Sequence, residues 1–173
     1  LGAQAGFAGL LRTEPEPARL VTDGFWYRQA WHPYKGEWVR DKGLAGWVWS
    51  YECPYLTNAY GDDPLAEPEL SEAFELRNAV CVPILGANEQ VLGFFQVLNK
   101  GDGRQPFTWS DVEFLQSLAN VAGVAIFNAR LLSEIETQRG QFQALSAQYV
   151  DLLEEERRRI SLELHDEAGQ ALI

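Results

Sequence analysis

The chain has 173 residues, with 25 acidic against 14 basic side chains for a net charge of −11, 46% hydrophobic and 12% aromatic residues. That apolar content supports a packed core and excludes wholesale disorder, while the acidic balance argues against nucleic-acid or anionic-lipid binding, which need a basic face for the phosphates. Two cysteines, Cys53 and Cys81, form no CxxC pair and have no neighbouring histidine, so neither a disulfide framework nor a zinc site is expected, and the expected compartment is a reducing cytoplasm.

No run of about 18 consecutive apolar residues is present, and no signal peptide opens the chain. The absence of methionine and the start at Leu1 read as a piece of a longer protein, in which a membrane anchor could lie upstream. Texture divides the chain near residue 130. Before it, apolar runs are punctuated by Gly, Pro, Asn and Asp; after it come dense charges, periodic leucines and no proline.

In chain order, Ala5–Arg12 and Arg19–Trp26 read as adjacent antiparallel strands separated by the turn-like TEPEP. Tyr27–Arg40 is aromatic but interrupted by Pro33 and Gly36, and its type stays open. GLAGWVWSY, Gly43–Tyr51, predicts a short helix opening at glycines, Pro54–Thr57 a brief strand, and Glu69–Leu76 another short helix. NAVCVPIL and VLGFFQVLNK are strands joined by the five-residue GANEQ, a hairpin, and the second is apolar on both faces, as a central strand should be. A helix then starts at Thr108, with Asp111 placed near its positive end, and Phe114, Leu115, Leu118, Val121, Ala122, Ala125 and Phe127 recur at helical spacing.

Three stretches, GLAGWV, NAVCVPIL…VLGFFQVLNK and PFTWSDVEFLQSLANVAGVAIFNARL, carry a resemblance to the GAF domain over about residues 3–132. The resemblance implies an α+β fold: a roughly six-stranded antiparallel sheet flanked by helices. The helix that usually precedes the first strand has no counterpart here. The family's ligand pocket lies between one sheet face and the segment from about Gly46 to Leu76. This makes Trp47, Tyr51, Cys53, Tyr60, Phe74 and Phe95 candidate pocket residues, against the plainer reading of aromatics that simply pack. Asn99, Lys100, Phe107 and Asp111 fit a pattern of cyclic-nucleotide-binding members, but Val112 stands where that pattern has glutamate. Haem would need an axial ligand such as His32, expected to be a solvated surface residue, and neither cysteine precedes a histidine as bilin attachment requires. Cys53 is a candidate redox-sensitive thiol and Cys81 an inert buried one. The ligand is left unassigned, and no metal is expected.

From Leu131 the apolar positions Leu131, Ile135, Phe142, Leu145, Tyr149 and Leu152 follow the alternating spacing of a dimeric coiled coil, with Gln138 interrupting the seam. Leu153, Ile160 and Leu164 continue the stripe after a phase change, a stutter that locally unwinds such a coil. The closing segment EEERRRISLELHDEAGQALI resembles the phosphoacceptor helix of sensor histidine kinases of the nitrate-sensor and DesK-like subfamily. The matching residues are Glu156, Arg157, Arg159, Ile160, Glu163, Leu164, His165, Asp166 and Gln170. An imidazole nitrogen is nucleophilic at neutral pH, and a neighbouring carboxylate can take its other proton. The resemblance implies His165 as phosphoacceptor, Asp166 as base, and Gln170 as the residue positioning water for dephosphorylation of a response regulator. With about 100° per residue, His165 falls at the edge of the buried stripe, and Arg158 shares its face about two turns earlier.

The expected organisation is therefore a GAF sensory domain over residues 1–130, a coiled-coil signalling helix over 131–153, and the start of the dimerisation and phosphoacceptor helix over 154–173. The expected protein is the sensory and phosphoacceptor fragment of a two-component kinase. It would be a homodimer through its C-terminal helix and would face a receiver domain, without nucleic-acid or membrane contact. ATP and Mg would belong to a catalytic domain of the parent, so the fragment alone should be inactive. The alternatives are a non-catalytic ligand-binding and dimerisation module, or a thiol-dependent reductase on the same fold.

Overall fold

The computed structural model describes residues 1–68, 70, 75–101 and 104–170, with side chains described as far as residue 161. Six strands form one antiparallel sheet: β1 (Ala3–Arg12), β2 (Arg19–Tyr27), β3 (Ala30–Trp38), β4 (Tyr55–Thr57), β5 (Ala79–Leu85) and β6 (Val91–Lys100), in the order β3-β2-β1-β6-β5-β4. Helix α1 (Gly43–Tyr51) and helix α2 (Trp109–Gln170) accompany the sheet. The fold is the α+β arrangement expected, an antiparallel sheet with a long C-terminal helix.

The interior strands explain why the sequence lacks polar–apolar alternation where it does. Burial on β5 is nearly continuous because each face meets its own core: Ala79 and Cys81 point to one, Val80, Val82 and Ile84 to the other. The first core contains Phe7, Leu20, Trp38, Leu44, Val48, Tyr60, Phe94 and Leu98 under α1, and the second contains Leu92, Phe107, Val112, Leu115 and Ala119 under α2. Each fully buried leucine-sized chain contributes about 1.5–3 kcal/mol, so both faces matter to stability.

Tyr27–Arg40, left open by the sequence, is largely strand β3. Pro33 is tolerated because β3 is an edge strand, paired only with β2, and the register shifts between Thr22 and Gly24 beside it. His32 is exposed on this strand, its ring stacked on Phe25 at 5.3 Å. Of the short helix expected at Glu69–Leu76, Glu69 and residues 71–74 lie outside the described residues; Leu70 and Leu76 are buried in the first core.

Helix α1 opens at Gly43 in the left-handed region (φ +63°), a conformation glycine adopts without steric cost. It closes at Glu52, also left-handed, whose N–H bonds the Val48 carbonyl. Helix α2 begins at a capping arrangement: Asp111 Oδ2 accepts bonds from the Thr108 amide and hydroxyl, both at 2.8 Å. At Gly123 the helix backbone runs directly over the Leu85 carbonyl of β5, with no room for a Cβ.

By compactness the chain divides at Phe127/Asn128. The first unit holds the sheet, α1 and the first turns of α2. The second, from Asn128, is helical through Gln170, and its large apolar side chains as far as Ile160 are exposed. Although no 18-residue apolar run exists, Trp109–Ser161 contains an 18-residue window of mean hydropathy 1.3, long and apolar enough by those measures to cross a membrane. Core helices of soluble proteins meet the same test, and in the first unit this helix buries Val112, Leu115 and Ala119 against the sheet; only 11% of the window is buried, however.

Candidate functional site

The α1 face of the sheet carries polar groups inside an aromatic core. Tyr60 is fully buried in a short 3-10 turn, Tyr60–Asp62. Its amide bonds the Arg77 carbonyl at 2.9 Å, and its hydroxyl accepts the Glu67 amide at 3.2 Å. Burial pushes its phenol up to about 12, with the Glu67 and Asp63 charges adding to the rise. Both Glu67 carboxylate oxygens accept the Trp38 indole N–H at 3.0 Å, and the same carboxylate lies against Gly43 at the start of α1. Beside this pair opens a cavity of about 730 Å³ bordered by Trp38, Gly43, Glu67 and Leu70, with Arg19, Glu37 and Lys42 at its margin. Trp38 stacks on Phe7 at 5.7 Å and meets Phe94 edge-on at 5.2 Å.

The candidate pocket residues are not all brought together. Tyr60 belongs to this face. Trp47 packs partly against the same core but stacks on Tyr51 at 4.7 Å, and Tyr51 is 60% exposed at the end of α1. Cys53 is half-buried just beyond. Phe95 faces the other way: β-strand side chains alternate, Phe94 points toward α1, and Phe95 therefore packs under α2, lining a separate hollow of about 450 Å³ with Ala122 and Ile126. Phe74 lies outside the described residues. Cys81 is fully buried, and burial, reinforced by the Glu67 charge, raises its thiol pKa well above the ordinary value. It is held as the neutral, poorly nucleophilic form.

Sequence reasoning does not find Trp38, Glu67 or Gln96. The first two meet only through tertiary packing. Gln96 has a visible signal, as an amide inside the apolar run VLGFFQVL.

Asn99, Lys100, Phe107 and Asp111 form an internal clasp between β6 and α2. Lys100 Nζ reaches Asp111 Oδ2 at 2.5 Å and lies 6.0 Å from the Phe107 ring centroid. Burial alone would raise the Asp111 carboxyl, but the Lys100 ammonium and the Thr108 donors outweigh it and hold the pKa below the ordinary value. Asn99 Oδ1 accepts the Arg77 amide, Asn78 Oδ1 the Lys100 amide, and Asn58 makes two bonds to the Phe107 backbone. Every member of the motif thus has an internal structural partner.

His165, Asp166 and Gln170 lie on the helical backbone of α2, and their side chains are outside the described residues. Just before them, Arg159 and Glu156 pair at 2.7 Å, one helical turn apart.

A six-stranded antiparallel sheet with a short helix on one face and the start of a long helix on the other defines a recurrent α+β domain. The chain belongs to the GAF domain family, whose sequence profile matches residues 1–126. Among curated proteins it is 30% identical over 102 residues to the dual 3',5'-cyclic-AMP and -GMP phosphodiesterase 11A of Takifugu rubripes, covering 58% of this chain and 11% of that protein. It is likewise 30% identical over 103 residues to the cGMP-specific 3',5'-cyclic phosphodiesterase of Drosophila virilis, covering 57% and 12%. The matched part spans only about a tenth of each relative. Among solved structures, the free methionine-R-sulfoxide reductase of Neisseria meningitidis superposes with a TM-score of 0.61 at 16% identity, over 77% of this chain and 72% of that one. The GAF domain of the Acinetobacter phosphoenolpyruvate-protein phosphotransferase gives 0.57 at 17% identity, over 76% and 75%. These structural likenesses establish the fold.

Proposed function

We propose that this chain is the sensory and phosphoacceptor portion of a two-component sensor histidine kinase, cytoplasmic, with His165 as the residue that takes phosphate from ATP and passes it to a receiver domain. The observation that carries the reading is the nine-position match from Glu156 to Gln170, lying on a continuous helix that leaves a GAF domain. A neutral imidazole attacks the γ-phosphate, Asp166 accepts the proton from the other ring nitrogen, and Gln170 orients water for the reverse function. ATP and Mg are supplied by a catalytic domain of the parent, and the fragment alone is inactive.

The dimer that this chemistry requires is supported by the exposed stripe Leu131, Ile135, Phe142, Leu145, Tyr149 and Leu152, an apolar face that a second copy would cover by coiled-coil packing. A signal at the GAF domain then acts by changing how the paired helices present His165. The intact parent, incubated with labelled ATP, incorporates label that His165→Gln abolishes; label retained in that variant overturns the kinase reading in favour of a module with an idle histidine. The thiol-reductase alternative has little support, since Cys81 is buried as a neutral thiol. It predicts sulfoxide reduction that disappears in Cys53→Ser.

A further inference from the structure

Within the first unit, helix α2 has two apolar faces, and the sheet uses only one. Val112, Leu115, Ala119, Ala122 and Ile126 pack into the second core. At about 100° per residue, Phe114, Val121 and Val124 fall on the opposite side of the helix, and all three are exposed.

Counting by sevens carries this uncovered face into the seam beyond Asn128. Phe114, Val121, Asn128, Ile135, Phe142 and Tyr149 hold one position of the repeat, a. Val124, Leu131, Gln138, Leu145 and Leu152 hold the other, d, with Ser117 at its head. The opposite face changes character at the same point: Ser133, Glu136 and Gln143 stand at the repeat positions that Val112, Leu115 and Ala122 fill in the first unit. Only the uncovered face therefore stays apolar along the helix.

We infer that the interface between two copies of this chain begins on the sheet unit, at Phe114, and that Asn128 aligns the two helices parallel and in register. A lone asparagine at an a position selects a pairing because its amide, once buried, needs a partner. In a parallel, in-register pair Asn128 meets the partner's Asn128, and Gln138 meets the partner's Gln138. A slip of one heptad sets Asn128 against Val121 or Ile135 and leaves the amide unpaired.

Charge complementarity decides between parallel and antiparallel. In the parallel pair Glu134, at the flanking g position, faces the partner's Arg139 at the e position of the next heptad. An antiparallel pair can match Asn128 with the partner's Gln138, but it then brings the two Glu134 carboxylates together, which is repulsive. This inference rests on the dimer that the kinase reading needs, and adds where its interface begins and what aligns it.

The test uses the full 173-residue chain under mild oxidation, with the natural sequence as the baseline for Cys53 and Cys81. Val121→Cys and Ile135→Cys should each form a disulfide between two copies, well above that baseline. Glu136→Cys, away from the seam, should stay at the baseline. Position 121 is diagnostic, because the antiparallel pair places it opposite the partner's Leu145. Sedimentation should show the natural chain as a dimer. Asn128→Val should associate about tenfold more tightly, since no amide is desolvated, yet spread into species beyond the dimer. Combined with Val121→Cys, it should also lower the yield of the disulfide at 121.

A monomeric natural chain, no disulfide at 121, an equal yield at 136, or an Asn128→Val variant that remains a dimer of unchanged affinity overturns the proposal. A dimer that cross-links at 135 but not at 121 overturns it while leaving the coiled coil of the kinase reading intact. None of these readouts involves phosphate transfer, so the kinase reading can fail while the disulfide at 121 still forms.

Discussion

Leu115 and Leu145 lie on one helix and share one chemistry, yet the first is 5% exposed and the second 69%. In the first unit, the residues Val112, Leu115 and Ala119 find a sheet to cover them; in the second, Leu131 to Leu152 present an equally regular stripe with nothing of their own unit against it. Periodicity specifies that a helix has an apolar face, not what covers that face. The sheet unit carries its own core, whereas the helix beyond Asn128 leaves its apolar stripe exposed.

The sharpest way to break the first half of that comparison is at Gly123. Gly123→Val places side-chain atoms against the Leu85 carbonyl, where only backbone can give way, and should cost about 3 kcal/mol or more. Its thermal melt should fall well below that of Gly140→Ala, at a helical glycine where an added Cβ would meet no atom within 4 Å. Next in size is Asp111→Ala, which removes the cap of α2 together with the Lys100 partner and should cost about 2 kcal/mol by denaturant titration.

Acid sharpens the same point. The Asp111 carboxyl is held below its ordinary value in the folded state, so its contribution is complete above the unfolded pKa of about 3.9 and disappears as pH falls through the lower folded value. The difference in melting temperature between the natural protein and Asp111→Asn should therefore shrink from about pH 6 to about pH 2. A constant gap across that range would assign the effect to packing rather than charge. Smallest for the sheet unit is Phe142→Glu. Sedimentation should register loss of the proposed dimer, while the stability of the sheet unit changes by less than about 0.5 kcal/mol.

How far the sequence can be read follows the same division between local and non-local causes. The helix Gly43–Tyr51 and the β5–β6 hairpin are legible because their signals are short-range: glycines at the helix start, and two apolar runs around a turn. Strand β3 is ambiguous because Pro33 and Gly36 are strand breakers except on an edge, and edge position is a property of the whole sheet. Sequence alone puts Phe95 among the pocket residues, although adjacent Phe94 must then face away; strand parity separates them once either face is assigned. The Trp38–Glu67 contact, 29 residues apart in sequence, has no local signature at all.

Phe114, Leu118 and Val121 teach the remaining lesson. They recur at helical spacing and belong by that measure to one apolar face, but the structure buries the neighbouring stripe and leaves these three at 54%, 47% and 70% exposure. The phosphoacceptor reading of His165 rests on residue types along a single helix, whose side chains are described only as far as residue 161.

The most direct test of the central claim is to locate the phosphate. The intact parent should be incubated with ATP and Mg and digested, and the modified peptide sequenced by mass spectrometry under conditions that preserve acid-labile phosphohistidine. Phosphate on the imidazole of His165 is the predicted result. An unmodified His165 alongside a phosphate on any other residue, or on none, would contradict the account.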